Sequence, residues 1–228
     1  MGTMGNIDGI IQKIDHTLLK ADAREDDLRR LCAEAKQYGF TVIAINPCWI
    51  PLCKKELEGT GIMITATVGF PLGQMLTETK ASECRDAINA GAAEIDMVMN
   101  LGKLLSGDED YVFADIKAAA DCCHRRGVKC KVILETCLLT EDHIVRACTL
   151  AERAGADYVK TSTGFNGPGA TVEHLRLMRK SCGPAVKIKA AGGIRSLAQA
   201  RAMVEAGADR IGTSAGISIA AELGYCGT

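Results

Sequence analysis

A single (β/α)₈ barrel is the fold that this chain of 228 residues predicts. Three observations point to it. Short apolar, β-branched runs alternate with longer stretches whose apolar residues recur at three- and four-residue spacing, the pattern of parallel βαβ units. The short runs are apolar almost throughout, as strands buried on both faces are. A diverged repeat also recurs: AGAAEIDMVMN from Ala90, AGADYVKTSTG from Ala154 and AGADRIGTSAG from Ala206, with QYGFTVIAINP around Gly39 as a weaker fourth copy. In each copy a glycine closes a helix, where its tolerance of positive φ suits a C-cap, and a strand follows.

The elements are expected in this order. A first strand at 12–17 precedes the helix DDLRRLCAEAKQY, and a second at 41–45 follows Gly39. A third strand at 62–68 leads to the helix TETKASECRDAINA, and a fourth at 93–99 leads to FADIKAAADCCHRR. Strands at 130–135 and 157–161 flank EDHIVRACTLAERA, and strands at 185–189 and 209–213 flank LAQARAMVEA. Eight such units in about 230 residues fit a closed barrel better than an open doubly wound sheet. No linker, low-complexity segment or composition shift divides the chain, so one domain over residues 1–228 is expected. A second methionine at Met4 suggests that residues 1–5 are a tag-derived or disordered start.

Composition narrows the function classes. The net charge of −1 offers no electrostatic footprint for nucleic acid or an anionic membrane, and 4% aromatic residues offer no stacking surface for bases. No run of 18 apolar residues suits a membrane span, and the start lacks the layout of a signal peptide. The 11 cysteines are scattered through apolar runs without a Cys-x-x-Cys pair, so buried free thiols and a reducing, cytoplasmic compartment are expected. His16, His124, His143 and His174 show no metal-ligand spacing, and the last three are expected on helix surfaces. No Gly-x-Gly-x-x-Gly follows a strand. Neither metal nor cofactor is expected.

The chemistry concentrates in two lysines. Lys160 and Lys189 end two successive strand-like runs, each followed by a loop of small residues. Burying an ammonium costs several kcal/mol unless it is paired. A lysine near a second cation also loses its proton more easily, which makes a neutral amine nucleophile for a Schiff base with a carbonyl substrate. An unperturbed lysine is neutral only about once in 2,500 molecules at pH 7, so such tuning is required. Strand parity puts Glu94, Asp96 and Val98 on one face, Lys131, Ile133 and Glu135 on one, and Lys187 and Lys189 on one. Asp96 is the acid expected at the barrel mouth, because IDMVMN is otherwise apolar around it. Lys187 rivals Lys189 by parity; Lys189 is preferred because it stands nearer the strand's C-terminal end. Glu135 is left unassigned. The last two loops, AAGGIRS and GTSAGIS, combine small residues with helix starts, where barrels bind phosphate. Gly192, Gly193, Gly212 and Ser214 are the candidates there.

With these residues in place, the sequence resembles the deoxyribose-phosphate aldolases, a class I aldolase family, from about Ile14 to Leu223. The carriers are IDHTLLK, GFPLG, EIDMVMNLGKL, KVILET, VKTSTGF, KAAGGIR and RIGTSAG. The resemblance implies that Lys160 is the Schiff-base lysine, that Lys189 perturbs it and joins proton transfer, and that Asp96 works with Lys189 and a water as the relay. It groups Asp15, Thr17 and Lys131 as polar residues near the substrate, and Gly192, Gly193 and Ser214 with the phosphate cradle; Thr163 and Gly212 are further residues expected to bind substrate. The implied reaction is reversible cleavage of 2-deoxy-D-ribose 5-phosphate to D-glyceraldehyde 3-phosphate and acetaldehyde. The implied partners are a small sugar phosphate and an aldehyde, in a homo-oligomer of two or four copies. Two positions depart from the family. Ala44 stands where many members carry a cysteine, which puts thiol-linked inactivation by aldehydes in doubt. Ala215 stands where some carry a second serine, which removes one hydroxyl from the last loop. A transaldolase-like Schiff-base aldolase and a non-catalytic sugar-phosphate-binding barrel stay open as alternatives.

Overall fold

The fold was analysed in a computed structural model that describes residues 8–225 and Gly227. The start expected over residues 1–5 lies outside the described residues. Eight strands form a closed barrel in which each is parallel to both neighbours: β1 (Ile14–Leu18), β2 (Val42–Ile45), β3 (Met63–Val68), β4 (Glu94–Val98), β5 (Lys129–Ile133), β6 (Tyr158–Lys160), β7 (Lys187–Ala191) and β8 (Arg210–Thr213). The helices are α1 (Asp8–Ile11), α2 (Glu25–Tyr38), α3 (Ile50–Glu56), α4 (Thr77–Ala90), α5 (Leu101–Leu105), α6 (Glu109–His124), α7 (Glu141–Arg153), α8 (Val172–Ser181), α9 (Leu197–Glu205) and α10 (Gly216–Glu222).

Several boundaries shift from the sequence expectation, β1 (expected at 12–17) and β5 (expected at 130–135) among them, and two of the shifts have clear physical reasons. Helix α6 starts four residues earlier than FADIK suggests, because the Asp108 carboxylate caps it by accepting the Tyr111 amide at 3.3 Å. Strand β7 runs on to Ala191, two residues beyond the expected end. Alanine is a poor strand former alone, but Ala190 and Ala191 pair with Ile211 and Gly212 of β8, and that pairing carries the strand. Lys189 therefore sits in mid-strand, with Lys160 its register partner on β6.

The apolar core lies outside the barrel wall. Outward-facing Ile43, Ile64, Ile95, Val132, Val159, Ile188 and Ile211 are fully or almost fully buried under the helices. The helices meet them with amphipathic stripes such as Leu28, Leu31, Cys32 and Ala35 of α2, spaced three and four apart. The cysteines follow this pattern. Among the described residues all are free; Cys48 is exposed, Cys137 is half-buried and the others are buried. Of the three helix histidines, His124 is exposed, while His143 and His174 are half-buried against Thr140 and Thr136. No described helix is long and apolar enough to cross a membrane.

One ion pair sits in this outer layer. Lys80 of α4 and Asp115 of α6 are both 0% exposed, with Nζ 2.5 Å from Oδ2. The ammonium also donates to the carbonyl of Val98 at 2.9 Å, and the Lys80 stem passes under Gly69, where a Cβ would stand 3.1 Å from Cε. The pair thus ties two helices to the C-terminal end of β4, two residues from Asp96. Lys80→Met is expected to destabilise the fold by about 3–5 kcal/mol, because it strands the Asp115 carboxylate in an apolar layer. Urea denaturation measures this. The double change Lys80→Met with Asp115→Leu should recover most of the loss.

Candidate active site

The inside of the barrel is charged. Asp15, Glu94, Asp96, Lys131, Lys160, Lys189 and Arg210 come from six strands and meet in the interior, where most barrels of this kind pack branched apolar side chains. Six of them close a ring of alternating sign. Lys131 Nζ lies 3.0 Å from Asp96 Oδ1; Asp96 Oδ2 lies 2.7 Å from Lys189 Nζ; Lys189 pairs with Asp15. Asp15 pairs with Arg210, Arg210 Nη1 lies 3.7 Å from Glu94 Oε1, and Glu94 Oε2 returns to Lys131 Nζ at 2.5 Å. Lys131 also donates to Thr65 Oγ1 at 3.2 Å, which itself donates to Glu94 at 2.9 Å. Lys160 is the seventh charge. Its Nζ donates to Asp96 Oδ2 at 2.7 Å, the oxygen already shared with Lys189.

That count decides which amine gives up its proton. The ring holds three carboxylates and three cations and is formally neutral without Lys160. A protonated Lys160 would be an uncompensated charge in a largely buried site. Lys131 and Lys160 are both fully buried, yet they shift oppositely. Burial pushes Lys131 down, but Asp96, Asp15 and Glu94 outweigh it and its pKa is raised. Burial is also the largest influence on Lys160; Asp96 opposes it, Lys189 and Lys131 add to it, and the value falls to about 8. Burial leads and Lys189 assists. Burial alone would raise Asp96, but Lys131, Lys160 and Lys189 hold its carboxyl well below the usual range. Asp15 is likewise lowered, by Lys189, Lys131 and Arg210 against burial.

Lys160 is the member of this cluster that opens to a pocket. A cavity of about 250 Å³ lies over the ends of β1, β6, β7 and β8, lined by Thr17, Lys20, Lys160, Thr163, Gly192, Gly193, Arg195, Gly212 and Ser214, with Leu18, Leu19 and Phe165 as its apolar side. Asp15 and Lys131, grouped with the substrate residues from the sequence, do not line it; they are fully buried beneath it in the ring. Asp96 and Lys189 also lie below the floor. Lys187 is exposed at the opposite end of β7, over the ring of Tyr158. Ala44 is on the inner face, in register between Thr17 and Thr65, and brings no thiol.

The loops are held by small-residue contacts that no spacing rule reveals. Thr161 Oγ1 donates to the Ala191 carbonyl and accepts the Ala191 amide, both at 3.0 Å, and so locks β6 beside β7. A Cβ on Gly169 would lie 2.0 Å from the Gly192 carbonyl oxygen, so only glycine lets the loops after β6 and β7 touch. Gly192 and Gly193 both have positive φ. The amides of Gly193 and Ile194 donate to no other described group. Gly212 leaves room for the Lys189 stem, since a Cβ there would stand 3.1 Å from Cε. Ala215 donates its amide to Thr213 Oγ1 at 2.9 Å.

Five further residues belong to the site. Arg210 and Glu94 close the ring, and only Glu94 is marked by strand parity. Lys20 and Arg195 bring cations to the pocket wall; the signal was there, a base directly after each small or apolar loop run. Glu135 is 1% exposed and holds a left-handed backbone at φ 55°, ψ 58°. Its carboxylate accepts the Thr163 amide at 3.0 Å, the Thr163 hydroxyl and Asn166 Nδ2 at 2.8 Å, so it fixes the loop that carries Phe165. Among the described residues no group of three or more histidine, cysteine and acidic side chains could hold a metal.

Comparison with known proteins gives the family. The family model described as DeoC/LacD family aldolase matches residues 9–221. The chain belongs to the DeoC/LacD aldolase family. A deoxyribose-phosphate aldolase from Geobacillus sp. is 53% identical over 210 residues, 92% of this chain and 94% of the relative. One from Thermococcus gammatolerans is 52% identical over 212 residues, again 92% and 94%. Among solved structures, a putative deoxyribose-phosphate aldolase from Coccidioides immitis superposes with a TM-score of 0.90 at 44% identity, covering 94% of this aldolase and 85% of that chain. A tetrameric deoxyribose phosphate aldolase from Aeropyrum pernix gives 0.86 at 34% identity, covering 92% and 88%.

Proposed function

We propose that this aldolase cleaves 2-deoxy-D-ribose 5-phosphate to D-glyceraldehyde 3-phosphate and acetaldehyde, reversibly, through a Schiff base on Lys160. The observation that carries the reading is one amine, poised near pH 8, that alone of the seven charges inside the barrel faces a pocket. The names of the relatives support the substrate.

The steps follow from the ring. The neutral Lys160 amine attacks the aldehyde carbon of the open-chain sugar, and loss of water gives an iminium. The iminium draws the electrons of the bond between carbons 2 and 3 as the carbon-3 hydroxyl gives up its proton. Glyceraldehyde 3-phosphate leaves, and an enamine of acetaldehyde remains. Protonation of that enamine carbon and hydrolysis of the iminium release acetaldehyde and restore the amine. A carboxyl held as low as that of Asp96 is a weak base. Its part is to orient Lys189 and a relaying water, which shuttle the proton between the carbon-3 oxygen and the enamine carbon. The amides of Gly193 and Ile194, Ser214, and the cations Lys20 and Arg195 would receive the phosphate, with Thr17 and Thr163 toward the sugar hydroxyls.

Borohydride trapping tests the reading. Intact-protein mass and peptide mapping should find a reduced acetaldehyde adduct on Lys160; a protein left unmodified would overturn it. The pH dependence gives a second check. Only the neutral amine attacks, so kcat/KM should rise with pH through about 8 and fall roughly tenfold for each pH unit below it. A homo-oligomer of two or four copies is part of the proposal, in line with the tetrameric Aeropyrum relative. Light scattering measures it. A cytoplasmic location suits the many free thiols.

A further inference from the structure

We infer that Arg210 and Glu94, which do not line the pocket, are positioning residues whose opposite charges close the ring and keep Lys160 the odd cation out. The inference rests on the Schiff-base reading of Lys160 and deepens it. Lys160, Lys189 and Arg210 are register partners on three successive strands, so Arg210 stands two strands from the reactive amine, about 10 Å across the sheet. Lys160 itself faces Asp96 of β4, Lys131 of β5 and Lys189 of β7.

Arg210 faces Asp15 of β1, Glu94 of β4, Tyr158 of β6 and Lys189 of β7. Glu94 faces Thr65 of β3, Lys131 of β5, Tyr158 of β6 and Arg210. Removing Arg210's charge leaves three carboxylates against Lys131 and Lys189, so the cluster becomes neutral when Lys160 keeps its proton. Asp15 also loses one of its two ion-pair partners and keeps Lys189 as the other. Removing Glu94's charge does the reverse: the ring then carries excess positive charge before Lys160 is counted. A role in packing alone would not give shifts of opposite sign.

The test is the acid limb of kcat/KM for retro-aldol cleavage, with borohydride trapping by acetaldehyde measured in parallel. Arg210→Met is expected to move the limb up by about one pH unit, with the rate regained at higher pH, and Arg210→Lys to return it toward the wild-type position. Glu94→Gln is expected to move it down. Limbs that stay in place or move in the same direction, in proteins that still form the Lys160 adduct, overturn the inference and leave the Schiff-base reading intact. A wild-type protein that forms no adduct overturns that reading instead. Should Arg210→Met fail to fold, Glu94→Gln decides alone: a downward move supports the inference, and an unmoved or upward limb overturns it. If neither folds, the ring serves stability alone and the inference is overturned.

Discussion

Lys160→Met is expected to abolish turnover and, at the same time, to raise the stability of the barrel. The first effect follows from chemistry: without the Lys160 amine no iminium forms beside Asp96 and Lys189. The second follows from linkage. A fall in the pKa of a buried lysine from 10.5 to about 8 means that the folded state disfavours the ammonium by about 3 kcal/mol relative to the unfolded chain. That penalty is complete below pH 8, shrinks as pH rises from 8 to 10.5, and is absent above. Methionine fills similar space without the charge, and Asp96 keeps Lys131 and Lys189 as partners. Thermal melts should therefore show the variant above wild type at pH 7 and the gap narrowing toward pH 10. A variant that melts below wild type at pH 7 would show that Lys160 is a structural cation after all.

The opposite sign is expected at Asp96. Asp96→Asn should lower stability by about 3–5 kcal/mol and reduce kcat to a small residue of its wild-type value. The carboxylate is fully buried and touches three ammonium groups, so its loss leaves Lys131, Lys160 and Lys189 with only Glu94 and Asp15 between them. Its pKa is depressed, so its contribution is complete above the unfolded carboxylate value of 3.8 and drains away as pH falls from there toward the folded value. Urea denaturation at pH 7 should separate the two proteins widely, and the separation should close in strong acid. Equal midpoints at pH 7 would contradict the ring. The acid limb is also informative: Asp96 raises the Lys160 pKa, so the residual activity of the variant should persist to lower pH than that of wild type.

Much of this was legible in residue order. The AGA repeat and the apolar runs mark eight strands because a strand buried on both faces must be apolar, and a polar side chain inside one stands out. Lys160, Lys189 and Asp96 stood out in that way, and strand parity put Glu94 beside Asp96. Other features were not legible. Nothing local says that β7 continues through Lys189 to Ala191, because its partner strand supplies the reason. Glu135 reads as one more strand-end acid, although its left-handed backbone turns it toward the next loop. Gly169 and Gly192 read as ordinary turns, although they are a contact between loops.

Residue order by itself determined the alternation of strands and helices, the barrel class and the two lysines with their acid, since each rests on a periodicity or on a charge set in apolar surroundings. Only closure of the barrel decided that Asp15, Glu94, Lys131 and Arg210 meet those three, and that the charges balance with Lys160 left over. The physical reason is distance. Burial and the charges that tune Lys160 act over a few ångströms of barrel interior, between residues as far apart along the chain as Asp96 and Lys189.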